Sequence, residues 1–204
     1  MKKKDKKNII ILSVLFVLFI IVTILVCLGL TNSIDSSVYN FIISFRSRFL
    51  DNYFRFITSC GNASYVIIVL GICVILMRNK YALYLCFSSS CSVIFNTIFK
   101  NIIRRDRPNV LRLITQGGYS YPSGHSMITM CCYGYLFYYV YKYVKNKYLR
   151  VFLLIILSIL IISIPISRIY VGVHYFSDII GGLLLGGCIL FAVIKYGKII
   201  IRGN

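Results

Sequence analysis

Six stretches of this chain, at residues 9–30, 63–77, 81–100, 124–141, 151–167 and 178–195, are almost continuously apolar. The longest reach the roughly 20 residues that a helix needs to cross the hydrocarbon core of a bilayer. In lipid every backbone polar group must be satisfied within the protein, which leaves helices or a closed barrel as spanning structures. Continuous runs, unlike strict alternation, select helices. The expected fold is therefore an all-α bundle of six transmembrane helices, forming one integral-membrane domain over residues 1–204. The second run is the shortest, so flanking Tyr and Phe or a tilt must complete it. Between the first two spans, Val38, Phe41, Ile42, Phe45 and Phe49 recur at helical spacing among Arg46 and Arg48. That pattern suits a short interfacial helix in the head-group layer, with a connecting loop as the other reading.

The formal net charge of +18 is the usual mark of a nucleic-acid partner. Here, however, the cations flank apolar runs, so topology and anionic head groups account for them and no nucleic-acid partner is expected. With the N-terminus in the cytoplasm, the inner ends carry five lysines at the start, Arg78 and Lys80, Lys142, Lys145, Lys147 and Arg150, and Lys195, Lys198 and Arg202. These are 14 of the 23 Lys and Arg, and the bias places both termini inside. Among the outer cations, Lys100, Arg104, Arg105, Arg107, Arg112 and Arg168 gather at one face of the membrane. Cations held there against the sorting rule point to an anionic ligand, with phosphate the best match to Arg and Lys donors.

The lysine-rich start resembles the n-region of a signal peptide, but the apolar run that follows is long for an h-region and has no A-x-A-like cleavage site, so it is expected to be retained. Seven of the eight cysteines fall in expected spans and read as small apolar residues. No Cys/His spacing suggests a metal, and neither a disulfide nor a cofactor is expected. Gly182 and Gly186 form a small-xxx-small pair on the last span, a packing face for close helix approach.

Only two histidines occur, each in a short polar island at the same membrane face: His125 after Pro122, Ser123 and Gly124, and His174 between Arg168 and Asp178. Histidine transfers protons near neutral pH and also serves as a nucleophile. Pro122, Ser123 and Gly124 read as a helix entry, whose free N–H groups favour an anion. His174 and Asp178, four residues apart, share a face if helical, so Asp178 can accept from one ring nitrogen and leave the other free. No Glu is present, and five Asp are the whole supply of carboxylates.

In order along the chain stand Lys100-(six)-Arg107-Pro108, then Pro122-Ser123-Gly124-His125, then Ser167-Arg168-(five)-His174-(three)-Asp178. This three-part pattern resembles the signature of the type 2 phosphatidic acid phosphatase superfamily, with no signature position substituted. The resemblance implies a phosphohistidine mechanism without metal. It implies His174 as nucleophile with Asp178 orienting its ring, and His125 as the acid for the leaving oxygen. Lys100, Arg107, Ser123, Gly124 and Arg168 are implied as the phosphate cradle. Arg104, Arg105 and Arg112, outside the signature, are candidates for a second phosphate or a head group.

A site at the outer face suits a lipid phosphate that enters sideways from the bilayer. Family resemblance and topology lead to undecaprenyl pyrophosphate, recycled as the cell-wall lipid carrier, as the first expected substrate. Phosphatidylglycerophosphate or phosphatidic acid is the alternative, followed by transfer of the phosphate to another lipid. A transporter or proton channel is the competing class, disfavoured because the ionisable groups cluster at one boundary and do not continue across the bilayer. Nothing in the sequence defines the oligomeric state.

Overall fold

The computed structural model describes residues 3–77 and 79–202. Lys2 and Arg78, together with the side chains of Lys3, Lys4, Lys198 and Arg202, all counted above as inner cations, lie outside what is described. Every regular element among the described residues is helical: α1 (Lys3–Cys27), α2 (Asn32–Ile43), α3 (Arg48–Ser59), α4 (Ala63–Leu76), α5 (Asn79–Ile103), α6 (Gly124–Ile128), α7 (Tyr135–Tyr143), α8 (Lys147–Tyr170) and α9 (Phe176–Arg202). A π-helical turn, Thr129–Gly134, joins α6 to α7.

By length and composition four helices can cross a membrane: α1, α5, α8 and α9. A fifth crossing results if α3 and α4, bent by 56° across Cys60-Gly61-Asn62, act as one span. Length and composition thus establish four or five crossings, not the six expected. Alone, α4 has 14 residues; at about 1.5 Å per residue it falls short of a hydrocarbon core about 30 Å thick. The 124–141 segment forms as helix, but the π turn divides it into pieces of 5 and 9 residues. The stretch between the first two spans also differs from one interfacial helix. It folds as α2 followed by α3, and each buries part of its surface: Asp35 in α2, and Ile57 and Thr58 in α3.

Local chemistry sets several helix starts. Ser47, Ser123 and Asn146 stand in extended conformation, and each side-chain oxygen accepts a first-turn N–H, at 3.3 Å from Leu50, 3.4 Å from Ser126 and 3.0 Å from Leu149. Lipid supplies no hydrophobic drive between helices, so close packing of small residues must hold the bundle. Helix α9 is the central post, contacting α1, α5, α6 and the π turn, and over half of its most apolar window is buried. In contrast α1 keeps most of its apolar surface exposed, including Ile9, Phe16, Val17 and Ile21.

Gly182 and Gly186 explain how α9 comes so close to α6. A Cβ on Gly182 would stand 2.6 Å from the Ser123 carbonyl oxygen, and one on Gly186 2.9 Å from that of Met127. Around this seam, Phe19, Tyr121, Met127, Cys131, Leu185 and Ile189 form a buried cluster. A second cluster joins Ile57, Tyr133, Val140, Leu157 and Ile164 across α3, the π turn, α7 and α8. All eight cysteines are free thiols. The consequence for the site is that the ends of α5, α6, α8 and α9 are brought to one end of the bundle.

Candidate active site

Helix α5 ends beside Lys100, and Arg104 closes it in the left-handed region at φ 51°. The chain then turns back through a long loop to Ser123. Arg107 is buried under that loop, and its guanidinium organises it. Its Nε donates to the Gly118 carbonyl at 2.9 Å, Nη2 to that of Gly117 at 2.9 Å, and Nη1 to that of Val173 at 2.8 Å. The same Nη1 lies 3.1 Å from Nε2 of His174. Gly118 sits at φ +69°, a conformation suited to glycine.

The turn between α8 and α9 presents His174. Val173 and His174 both donate their N–H to the Arg168 carbonyl, at 3.1 and 3.2 Å, and Gly172 at φ +76° allows the reversal. His174 therefore lies ahead of α9 and not within it, unlike the shared helical face read from the spacing. Its geometry to Asp178 survives because Asp178, in the first turn of α9, reaches back. Asp178 Oδ2 accepts the Tyr175 N–H at 2.9 Å and faces His174 Nδ1 at 3.3 Å. Both side chains are buried.

Arg168 ends α8 almost wholly enclosed. Nη1 donates to Thr58 Oγ1 at 2.6 Å and Nη2 to Gln116 Oε1 at 2.9 Å, while its buried Nε has no partner. Ser123 and Gly124 open α6, and Gly124 packs beside Asn96, where an added Cβ would be 2.9 Å from Oδ1. His125 follows, its Nε2 3.0 Å from Oδ1 of Asn62. Gly61 lies flat against the same ring, where a Cβ would collide with His125 Cδ2. Arg168, Lys100 and His174 all stand close enough to His125 to act on it electrostatically. The structure thus brings together all eight sequence-predicted site residues: Lys100, Arg107, Ser123, Gly124, His125, Arg168, His174 and Asp178.

The electrostatics are one-sided. Among the described residues no carboxylate lies within 4.0 Å of Lys100, Arg107 or Arg168. Buried cations are ordinarily paired, since an unpaired one costs several kcal/mol. Arg107 is held by backbone carbonyls and Arg168 by the Thr58 hydroxyl and the Gln116 amide oxygen, with half-buried Lys100 beside them, so the cluster is charged and open to an anion. Burial, and then the charges of Arg168, Arg107 and Lys100, hold the His174 imidazole well below its ordinary value of 6.5. The ring is neutral with a lone pair available. A neutral imidazole backed by a carboxylate, next to unneutralised guanidinium groups, can attack phosphorus and stabilise the oxygens that gain charge. Among the described residues no three His, Cys, Asp or Glu side chains gather as a metal-ligand cluster.

Several polar partners escape a reading of the sequence. Arg105, assigned above as a candidate for a second phosphate, instead bridges Asp178 Oδ1 at 2.7 Å and Asp35 Oδ2 at 2.8 Å. Thr58, Asn62 and Gln116 hold Arg168 and His125 but carry no motif. Asp35 had one signal, as one of five carboxylates in the whole chain. Arg104 and Arg112 also turn to the protein: Arg104 Nε donates to the Asn101 carbonyl at 2.9 Å, and Arg112 Nη2 to that of Pro108 at 2.7 Å.

Comparison with known proteins identifies the family. The PAP2 superfamily model matches residues 81–201. Phosphatidylglycerophosphatase B of Bacillus subtilis (strain 168) is 27% identical over 194 residues, covering 92% of this chain and 95% of the relative. The crystal structure of a transmembrane PAP2-type phosphatidylglycerolphosphate phosphatase from Bacillus subtilis superposes with a TM-score of 0.81 at 25% identity, covering 95% of this chain and 98% of that one. Aquifex aeolicus LpxE shares the fold, with a TM-score of 0.66 at 21% identity over 78% of this chain and 94% of its own. The matched region holds every signature residue from Lys100 to Asp178, and the chain belongs to the PAP2 superfamily of membrane lipid phosphatases.

Proposed function

We propose that this PAP2 phosphatase removes the terminal phosphate from a phosphorylated glycerolipid of the phosphatidylglycerophosphate class, with phosphatidic acid as a related substrate. The observation that carries a phosphate substrate is the group of buried Arg107 and Arg168 with half-buried Lys100, none paired with a carboxylate, around a neutral His174. The order of expected substrates is reversed from that read in the sequence. Two of the similar proteins, both from Bacillus subtilis, are named for phosphatidylglycerophosphate and none for undecaprenyl pyrophosphate. Of the three cations expected to take a second phosphate, Arg105 is held instead between Asp178 and Asp35.

In the proposed reaction, His174 Nε2 attacks phosphorus while Asp178 holds the proton on Nδ1. Arg107 and Arg168, with Lys100, the Ser123 hydroxyl and the Gly124 amide, take up charge on the phosphoryl oxygens. His125 protonates the departing lipid oxygen as the P–O bond breaks. It then accepts a proton from the water that attacks the phosphohistidine, releasing inorganic phosphate and restoring His174. No step calls on a metal. A groove of about 460 Å³ between α4 and α5 leads to Gly124 and is lined by Val66, Ile67, Leu70, Val93 and Asn96. It is suited to an acyl chain lying alongside a head group at His125.

The proposed placement is a multi-pass protein of the cell membrane with both termini cytoplasmic, the site at the extracytoplasmic face and α2 near the head groups. The cation distribution supports it. The chain is proposed to act as one domain. The functional reading is tested by phosphate release from phosphatidylglycerophosphate, phosphatidic acid and undecaprenyl pyrophosphate by the purified protein. The highest kcat/KM is expected for phosphatidylglycerophosphate, and a clear preference for undecaprenyl pyrophosphate would restore the first expectation.

A further inference from the structure

We propose that Asp35, on α2 and outside the region matched by the family model, is a positioning residue that sets the strength with which Asp178 supports His174, acting through Arg105. This rests on the reading of His174 as nucleophile.

Arg105 is one cation between two fully buried carboxylates. Its Nη1 donates to Asp178 Oδ1 at 2.7 Å and to Ser177 Oγ at 2.8 Å, and Nη2 donates to Asp35 Oδ2 at 2.8 Å. The Tyr175 ring covers it, with Cζ 4.0 Å from the centroid. Asp35 in turn accepts the Ser177 N–H on Oδ1 at 2.8 Å and the Ser177 hydroxyl on Oδ2 at 2.7 Å. A helix remote in sequence thus holds the first turn of α9 one residue before Asp178, and Arg105 occupies Oδ1 so that Oδ2 is left to His174.

The charge count gives this arrangement its consequence. Asp178 paired with Arg105 alone is a neutral unit and a weak partner for an imidazole that gains positive character on attack. Asp35 adds a second negative charge and draws the guanidinium toward itself, so the trio faces His174 with a net charge of −1. The other charged or titratable groups facing His174 are Lys100 from α5, Arg107 from the following loop, His125 from α6 and Arg168 from α8, all cationic or neutral. The trio is therefore the sole negative source among these groups, and Asp35 supplies the charge that keeps it negative. Arg105 shows the balance: burial works against its charge, yet the Asp178 and Asp35 carboxylates outweigh this and raise its pKa.

The test is a charge cycle read by the pH profile of kcat on phosphatidylglycerophosphate in detergent. Asp35→Asn keeps the shape and the acceptor for the Ser177 N–H, replaces the oxygen that takes the Arg105 bond with an amide NH2, and makes the trio neutral. We expect kcat to fall about tenfold with KM within about twofold, and the acid limb to move to lower pH by about one unit. Arg105→Gln makes the trio −2 and should move the limb the opposite way. The double variant returns to −1 and should return the limb to the wild-type position. Each leg reports the Asp35 charge independently, with Arg105 present or absent, so loss of folding in one single variant leaves the other comparison intact. An unmoved limb in a folded Asp35→Asn protein, or in the double variant relative to Arg105→Gln, reduces Asp35 to a structural tie and overturns the proposal. If His174→Ala keeps hydrolysis, the nucleophile reading itself fails; if that variant is dead while the limb does not move, only the role of Asp35 fails.

Discussion

Arg107 Nη1 lies 3.1 Å from the Nε2 of His174, the ring nitrogen opposite the one that faces Asp178. With Nδ1–H donated to the carboxylate, Nε2 carries the lone pair and accepts from the guanidinium. Arg107 thus occupies the place that a phosphoryl group must take, and it is already positioned to pass its hydrogen bond to a phosphoryl oxygen.

Replacing Arg107 by lysine keeps one charge but loses the fork that reaches Gly117, Gly118, Val173 and His174 at once. The expected result is a fall of about 100-fold or more in kcat/KM, carried mostly by kcat. Steady-state kinetics on phosphatidylglycerophosphate check it; a change confined to KM would place Arg107 in ground-state binding only.

His125→Ala is expected to lower turnover of a lipid substrate by about 100-fold to 10,000-fold, because an alkoxide leaves poorly without a proton. With an aryl phosphate, whose leaving group needs no acid, the first chemical step should be largely spared. Equal losses on both substrates in single-turnover assays would remove His125 from the role of acid.

The depressed pKa of His174 has a defined sign. Its neutral, attacking form persists below 6.5, so the acid limb of kcat/KM is expected well below the ordinary histidine value. Between those values the unfolded chain binds a proton that the folded protein does not. The resulting stabilisation is present above 6.5 and is lost as pH falls below it. A pH–rate profile and thermal unfolding at matched pH test both. A midpoint near 6.5 that tracks His174 would contradict the buried, cation-flanked environment.

Gly182→Ala is expected to cost about 1–3 kcal/mol. Its Cβ would press on the Ser123 carbonyl at 2.6 Å, displacing the start of α6. Activity should fall together with thermal stability in detergent, and an unchanged melting temperature would show that the seam yields easily.

The signature residues were legible because each group is local: a helix end, a helix entry and a tight turn, each with its own spacing. The apolar runs gave all-helical structure for the same reason. The bend at Gly61 and the π turn after Ile128 were not legible, since they depend on how α3, α8 and α9 pack around them. Asp35, Thr58 and Asn62 were hidden for a related reason. Thr58 meets Arg168 from 110 positions away and Asp35 meets Ser177 from 142, distances across which no periodicity carries information. The crowding of cations in that segment points Arg105 toward a ligand; only the fold shows that two carboxylates already hold it.

The central claim is that phosphate passes through His174, and the most direct measurement is mass spectrometry of protein quenched in alkali during turnover of phosphatidylglycerophosphate. The account predicts one phosphate on His174, accumulating further in His125→Ala with an aryl phosphate and absent in His174→Ala. Phosphate found on another side chain, or continued hydrolysis by His174→Ala, would contradict it.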